Sequence, residues 1–468
     1  MSEAYVERLA LAVQLPAFPG TDLPAAAARL LEEGLGGVCL FGSNTAAGTD
    51  RVAALTGAIR AVAPRAVVAT DEEGGDVTRL HYDGGSPVLG ALALGTVDDL
   101  ALTRATGAAV GAELAACGID LDLGPVADVN SNPDNPVIGT RSFGADPSHV
   151  ARHVVAWVEG LQSAGVSACL KHFPGHGDTS ADSHLDLPRL DAPLETLAAR
   201  ELVPFAAAVA AGAAAVMTSH IVVSALDDRL PATMSPAVLG RLRSTLGFEG
   251  VIVSDALDMA GASAGRGIPE AAVLSLVAGA DLLCIGPDKD EALVRAIQAA
   301  IVEAVRRGRL PESRLVDAAA RIAAMPRGGG VLASFEDAAQ LAGARSALRV
   351  EGELPDLSGA LLVTVETEPN IAVGVVPWGL PAEPAGGVAA LLARSAGRPL
   401  VVQARDAHRH PATLALLSGL AETVPVVLVE WGWPGPVDVH MVRVVTQGSS
   451  LPSARAVAEL LRARGWRP

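Results

Sequence analysis

One phrase recurs eight times in the first 325 residues: a short β-branched apolar run ending in polar or glycine residues, then a longer Ala, Leu, Arg and Glu segment with helical spacing. The runs are ALAVQL (10–15), GVCLF (37–41), AVVAT (66–70), IDLDLGPVADV (119–129), VSACL (166–170), AAVMTS (214–219), GVIVS (250–254) and DLLCIG (281–286). Helical stretches separate them at 97–116, 148–164, 194–211 and 268–279, and Ser235 before Pro236 reads as a cap and first turn. This rhythm predicts an α/β chain whose first part is a (β/α)8 barrel. A doubly wound open sheet is the alternative, but it needs a crossover and usually fewer strands.

After Met325 the pattern changes. PRGGG (326–330) opens a polar linker to residue 358 that carries one amphipathic helix. A second α/β unit of sandwich type comes next over 359–468, with apolar runs ALLVTVE (360–366), IAVGVV (371–376), LVVQA (400–404), VPVVLVE (424–430) and MVRVVT (441–446) and a helix at 452–463. The expected organisation is thus a barrel over 1–325, a linker over 326–358 and a smaller domain over 359–468.

With 52 acidic against 35 basic side chains, the net charge of −17 argues against a nucleic-acid partner, which needs clustered Lys and Arg. The longest apolar run, Phe205 to Met217, has 13 residues rich in Ala and Val, too short to span a bilayer, so no membrane partner is expected. Cys39, Cys117, Cys169 and Cys284 are widely spaced in apolar surroundings and read as reduced core residues. Glu3, Glu7 and Arg8 interrupt the apolar stretch that a secretory signal requires, and the expected compartment is the cytoplasm.

In a barrel the βα loops at the strand ends converge on one mouth, so the residues just after each apolar run bear on function. The third run ends in Asp71-Glu72-Glu73 and leads to Arg79. The fourth ends in Asp128-Val129-Asn130 and leads to Arg141. The fifth ends in Lys171-His172, the sixth in His220 and the seventh in Asp255. Lysine is scarce, with 33 Arg against only Lys171 and Lys289, so a lysine at a strand end is conspicuous. Lys289 has the plain reading of a solvated helix start.

The densest signal is KHFPGHGDTSADSHLDLP (171–188), where three of ten histidines fall within 13 positions. A zinc site from His172, His176 and His184 would need the loop to fold back, because Pro174, Gly175 and Gly177 prevent the helix that usually pairs such ligands. No metal or cofactor is expected. The histidines could also simply hold turns in a long loop. In a third reading Asp182 and His184, two apart on an extended segment, share one face, so that the carboxylate orients an imidazole for proton transfer. Asp255 could cap the next helix, a task that Asp258 could also perform, which would let Asp255 point into the mouth. A carboxylate facing a proton donor across a cavity suits cleavage of a glycosidic bond through a covalent ester. Lys171 also admits a Schiff-base aldolase, although no phosphate-cradling glycine motif appears near strands seven and eight.

At these positions the sequence resembles glycoside hydrolase family 3, and within it the β-N-acetylglucosaminidases that recycle cell-wall fragments. The matching pieces are GGVCLFGSN (36–44), TDEEGGDVTRL (70–80), GPVADVNSNPDNPVIGTRSFGADP (124–147), KHFPGHGDTSADSHLDLP (171–188) and LPATMSPAVLGRLRSTLGFEGVIVSDALDM (230–259). The resemblance implies that Asp255 is the nucleophile and His184, held by Asp182, the general acid and base. It further implies that Asp71, Arg79, Arg141, Lys171 and His172 hold the hydroxyl and acetamido groups of a small carbohydrate substrate. The Asp-x-His pair marks the N-acetylglucosaminidase branch, whereas the β-glucosidases of the family take their acid from the second domain. A sugar-binding protein on the same barrel would have no need of the nucleophile. Glu72 stands where the family usually has a neutral residue, which puts an extra negative charge near Asp71. QGSSLPSARAVAELL (447–461) resembles the end of the family's second domain.

Overall fold

The computed structural model describes residues 2–181, 187–331, 335–367, 371–374 and 376–468. Eight buried strands form the first sheet: β1 (Gln14–Pro16), β2 (Gly37–Leu40), β3 (Val67–Thr70), β4 (Leu121–Asp122), β5 (Ser167–Phe173), β6 (Ala215–Thr218), β7 (Val251–Ser254) and β8 (Leu282–Gly286). Their order is β1-β8-β7-β6-β5-β4-β3-β2 and every hydrogen-bonded pair is parallel, which is the sequential order of a barrel and not that of a doubly wound sheet. Both faces of such a sheet are covered, so its strands read as short apolar runs, and each expected run coincides with one strand. β4 is shorter than its run because Gly124 and Pro125 come directly after Leu123. β5 is longer and includes Lys171 and His172, which fall where its pairing with β6 is irregular, between Leu170 and Phe173.

The barrel is nearly closed between β1 and β2, the two ends of this order, where the segments that lead into them meet at Gly36. Its N–H donates to Leu11 O at 3.1 Å, and a Cβ there would lie 2.1 Å from Ala12 O. Only glycine allows that approach. Ser235 caps the helix Pro236–Ser244 by accepting from Val238 N, as its sequence suggests.

The second sheet has six strands: β9 (Arg349–Glu351), β10 (Leu361–Thr364), β11 (Glu383–Pro384), β12 (Leu400–Ala404), β13 (Val426–Glu430) and β14 (Val442–Val445), in the order β9-β14-β13-β12-β10-β11. β9 is antiparallel to β14 and the remaining pairs are parallel. Its first strand therefore begins at Arg349, ahead of residue 359. The run expected as a strand at 371–376 is not one over Ile371–Gly374. These residues leave the sheet and lie against the barrel, where Ala372 packs on Val126, Val137 and Ile138.

The two units share a polar seam. Asp76 takes the Arg405 guanidinium at 2.7 Å and Ser449 N at 3.3 Å on one carboxylate oxygen, and Thr140 Oγ1 at 2.7 Å on the other. The helix Asp337–Ala347 docks on the barrel through Gln340, which accepts from Leu89 N at 2.9 Å and donates to Thr106 Oγ1 at 2.8 Å. Arg455 holds the start of that helix at Asp337, 2.6 Å away. Among the described residues no helix is long and apolar enough to cross a membrane.

Candidate active site

A cavity of about 380 Å³ opens at the C-terminal ends of the strands, at the smaller end of the size range for small-molecule sites. Asp71, Arg79, Arg141, Lys171, His172 and Asp255 all line it, so six of the eight expected site residues meet in one place. Asp182 and His184 lie outside the described residues. The segment before them is fixed by Asp178, which pairs with Arg200, and by Thr179, whose carbonyl accepts from Asn132 Nδ2 at 3.2 Å. Beyond them, Pro188 O accepts from Val222 N at 2.9 Å.

The cationic wall rests on a carboxylate that motif reading passed over. Lys171 Nζ lies 2.7 Å from Asp71 Oδ1 and 2.6 Å from Glu73 Oε1. Glu73 also receives Arg141 through both oxygens, with Nη2 at 2.7 Å and Nε at 2.9 Å. Burial alone would raise the Glu73 carboxyl, but Arg141 and Lys171 outweigh it and hold it far below the usual carboxylate range. Burial likewise opposes the charge on Lys171, yet Asp71 and Glu73 keep it firmly protonated. A lysine so protonated is no Schiff-base nucleophile.

Extended backbone past β3 explains why Glu73 belongs here and Glu72 does not. Side chains at 71 and 73 point into the mouth, while that at 72 turns to the opposite face. There the Glu72 carboxylate accepts from Arg79 N at 2.8 Å and Leu80 N at 2.9 Å and borders a second cavity with His81 and Glu113. Burial raises its pKa. The extra charge expected beside Asp71 is thus directed away from the pocket.

His172 and His176 each have their own partner. His172 Nδ1 lies 2.7 Å from Asp128 Oδ2, which fixes the tautomer and presents Nε2 toward Arg141 Nη2 at 3.5 Å. His176 Nδ1 meets Thr179 Oγ1 at 2.6 Å, and its backbone N–H donates to Asp128 Oδ1 at 2.7 Å. Burial and the neighbouring His172 push the His176 imidazole down to about 4, so it is neutral at ordinary pH.

Asp255 stands across the cavity, directly after β7. Its N–H donates to Thr218 Oγ1 at 3.4 Å, and Oδ1 accepts from Ala256 N at 2.8 Å. His220, expected at the mouth, is instead buried behind Asp255, where Nε2 holds Ala256 O at 2.9 Å and Nδ1 meets Thr233 Oγ1 at 2.9 Å. Asp258 does not cap a helix but lines the mouth and pairs with Lys289 Nζ at 2.8 Å. Lys289 is accordingly no solvated helix start, because Asp290 caps the helix Glu291–Arg306 and leaves the lysine to Asp258. On the far rim, Ile371 and Ala372 of the second unit complete the wall, and Ala372 O accepts from Arg79 Nη2 at 3.0 Å.

Residues 12–325 match the model of the glycosyl hydrolase family 3 N terminal domain. The chain is 35% identical over 331 residues to Beta-hexosaminidase A of Pseudoalteromonas piscicida, a match that takes in 65% of this chain and spans 55% of that relative. Among solved structures it is similar to a glycoside hydrolase family 3 beta-N-acetylglucosaminidase from Paenibacillus sp. str. FPU-7, with a TM-score of 0.88, 30% identity and coverage of 98% and 96% of the two chains. It is also similar to NagZ from Neisseria gonorrhoeae in complex with N-trifluoroacetyl-D-glucosamine, with a TM-score of 0.58, 33% identity and coverage of 69% and 92%. A family match over most of the chain, on a barrel whose strand ends gather the expected carboxylates and cations, shows that this protein is a glycosidase belonging to glycoside hydrolase family 3.

Proposed function

We propose that the protein is a retaining exo-β-N-acetylglucosaminidase. The reading rests on one arrangement: Asp255 on one side of a small cavity faces a wall of Asp71, Arg79, Arg141, Lys171 and His172 on the other. That wall offers charged donors and acceptors suited to the hydroxyl and acetamido groups of one terminal sugar. The similarity to a beta-N-acetylglucosaminidase and to a protein holding an N-acyl glucosamine supports the sugar assigned to it.

In the first step an Asp255 carboxylate oxygen attacks the anomeric carbon and the bond to the leaving oxygen breaks, while protonated His184 gives that oxygen its proton. Asp182 supports the positive imidazole. In the second step neutral His184 takes a proton from water, whose oxygen attacks the anomeric carbon and releases Asp255. Terminal N-acetylglucosamine on peptidoglycan fragments or chitin-type oligosaccharides is the substrate class. Assaying aryl β-glycosides of N-acetylglucosamine and of glucose side by side tests the reading. The former should turn over with the larger kcat/KM, and equal values would refute the assignment.

A further inference from the structure

On the outer face of the barrel the helix Pro147–Ser163 presents His149 and His153, four residues apart and therefore on one face. Their rings lie 4.6 Å apart. Asp98, which ends the helix Ala91–Val97, faces both, with Oδ1 3.1 Å from His153 Nε2 and 3.6 Å from His149 Nδ1. One ligand atom from each residue falls within 4.8 Å of the other two.

The hydrogen-bond partners decide which atoms meet there. His149 Nε2 lies 3.0 Å from Gly95 O, which can only accept, so the proton of a neutral imidazole sits on Nε2 and Nδ1 is left as a lone pair. His153 Nε2 lies 3.1 Å from Asp98 Oδ1, which can only accept, so without a metal this nitrogen donates its proton to Asp98 while Nδ1 accepts from the Thr103 hydroxyl at 2.9 Å. A metal that takes Nε2 displaces that proton, and Thr103 can then turn its hydroxyl to Asp99 O at 3.2 Å and accept from Nδ1. One imidazole lone pair, a carboxylate oxygen and a second imidazole nitrogen whose proton a metal would displace therefore converge. The partners on the far side of the two rings, a carbonyl and a hydroxyl, are the kind of outer partner that metal-bound histidines commonly have. Arg152 Nη2, half exposed, supplies positive charge from one side at 3.3 Å from Asp98 Oδ1 and 3.2 Å from His149 Nδ1.

We propose that Asp98, His149 and His153 form a zinc-type divalent metal site. Two imidazoles and one carboxylate suit a borderline cation such as Zn²⁺, with water completing four-coordination, and the spacing of the ligand atoms needs only side-chain adjustment to reach Zn–N and Zn–O contacts of about 2 Å. The site is separate from the sugar pocket. Its effect is to fasten two helices around Phe143, which stacks on His153 at 5.4 Å and belongs to the loop that carries Arg141.

Calorimetric titration of ZnCl₂ into the chelator-treated full-length protein, with thermal unfolding measured in parallel, tests the proposal. Wild type should take up one equivalent and gain in Tm. Asp98→Asn and His149→Ala should each lose that equivalent, and Thr103→Val should weaken it about 10- to 100-fold by removing the acceptor for the Nδ1 proton of the metal-bound His153. Arg152→Ala should tighten it by removing a competing cation. The absence of saturable binding in wild type would overturn the site. So would binding retained unchanged in both Asp98→Asn and His149→Ala, which would place the metal on the pocket histidines instead.

Discussion

Glu73 and Lys171 are joined at 2.6 Å, and the same carboxylate grips the Arg141 guanidinium with both oxygens. Neither cation of this wall of the pocket is held independently. Glu73→Gln would leave the buried Arg141 without its carboxylate partner and Lys171 with Asp71 alone, and breaking a buried pair in this way typically costs about 3–5 kcal/mol. We expect kcat/KM to fall at least ~100-fold and Tm to drop. Unchanged kinetics on the aryl N-acetylglucosaminide would remove Glu73 from the positioning of the wall.

Lys171→Arg keeps the charge but not the fit. The ammonium sits between Asp71 and Glu73 with its side chain only 2% exposed, and a planar guanidinium fork is wider than that gap. KM should rise by about tenfold or more, the equivalent of roughly 1.4 kcal/mol of binding. Steady-state kinetics of the purified variant decide it, and a wild-type KM would show that charge alone suffices.

The two chemical roles separate by leaving group. On the proposed mechanism Asp255→Ala removes the covalent route and should abolish turnover of every substrate. On the same mechanism His184→Ala removes a proton donor worth about 10²- to 10⁴-fold and should hit natural oligosaccharides hard, yet spare aryl glycosides whose leaving group needs little protonation. Equal loss on both substrate types would contradict the assignment of the acid.

Glu201 is a fully buried carboxyl pressed against Gly175 in the loop after β5, with Oε1 2.5 Å from Arg200 Nε. Burial lifts its pKa from 4.5 to about 7, so the folded protein keeps a proton that the unfolded chain has already lost at neutral pH. Stability from this group is complete below about pH 4.5 and disappears as the pH rises through 7. At ~1.4 kcal/mol per pH unit the loss amounts to about 3 kcal/mol at most. Glu201→Gln should therefore gain on wild type in urea unfolding between pH 5 and pH 8. A constant difference across that range would refute this account.

The barrel was legible because parallel strands covered on both faces leave short β-branched runs, and every one of the eight runs became a strand. The mouth was legible for a related reason: loops after strands converge whatever their composition, which brought Asp71, Lys171 and Asp255 together from residues 184 apart along the chain. Three things were not. Glu73 escaped because motif reading treats Asp-Glu-Glu as one block, although alternation along an extended chain already separates Glu72 from its neighbours. The run at 371–376 looked like a strand because the apolar residues that lean on Val126, Val137 and Ile138 have the composition of a core strand. Asp258 and Lys289 looked like helix-start residues because nothing in the spacing of 31 positions shows that they meet.

The Arg79 contact with Ala372 and the Asp76 tether to Arg405 give the second unit a role that needs no acid of its own. If the pocket binds the proposed sugar, its binding and the separation of the two units are linked equilibria, because Ile371 and Ala372 line the pocket only while the units are closed together. A saturating, non-hydrolysed sugar should then slow amide hydrogen exchange at Ser449 and Ala372, far along the chain from Asp255. Loosening the seam with Arg405→Ala should likewise be felt first as weaker sugar affinity, at denaturant concentrations where the barrel is still intact.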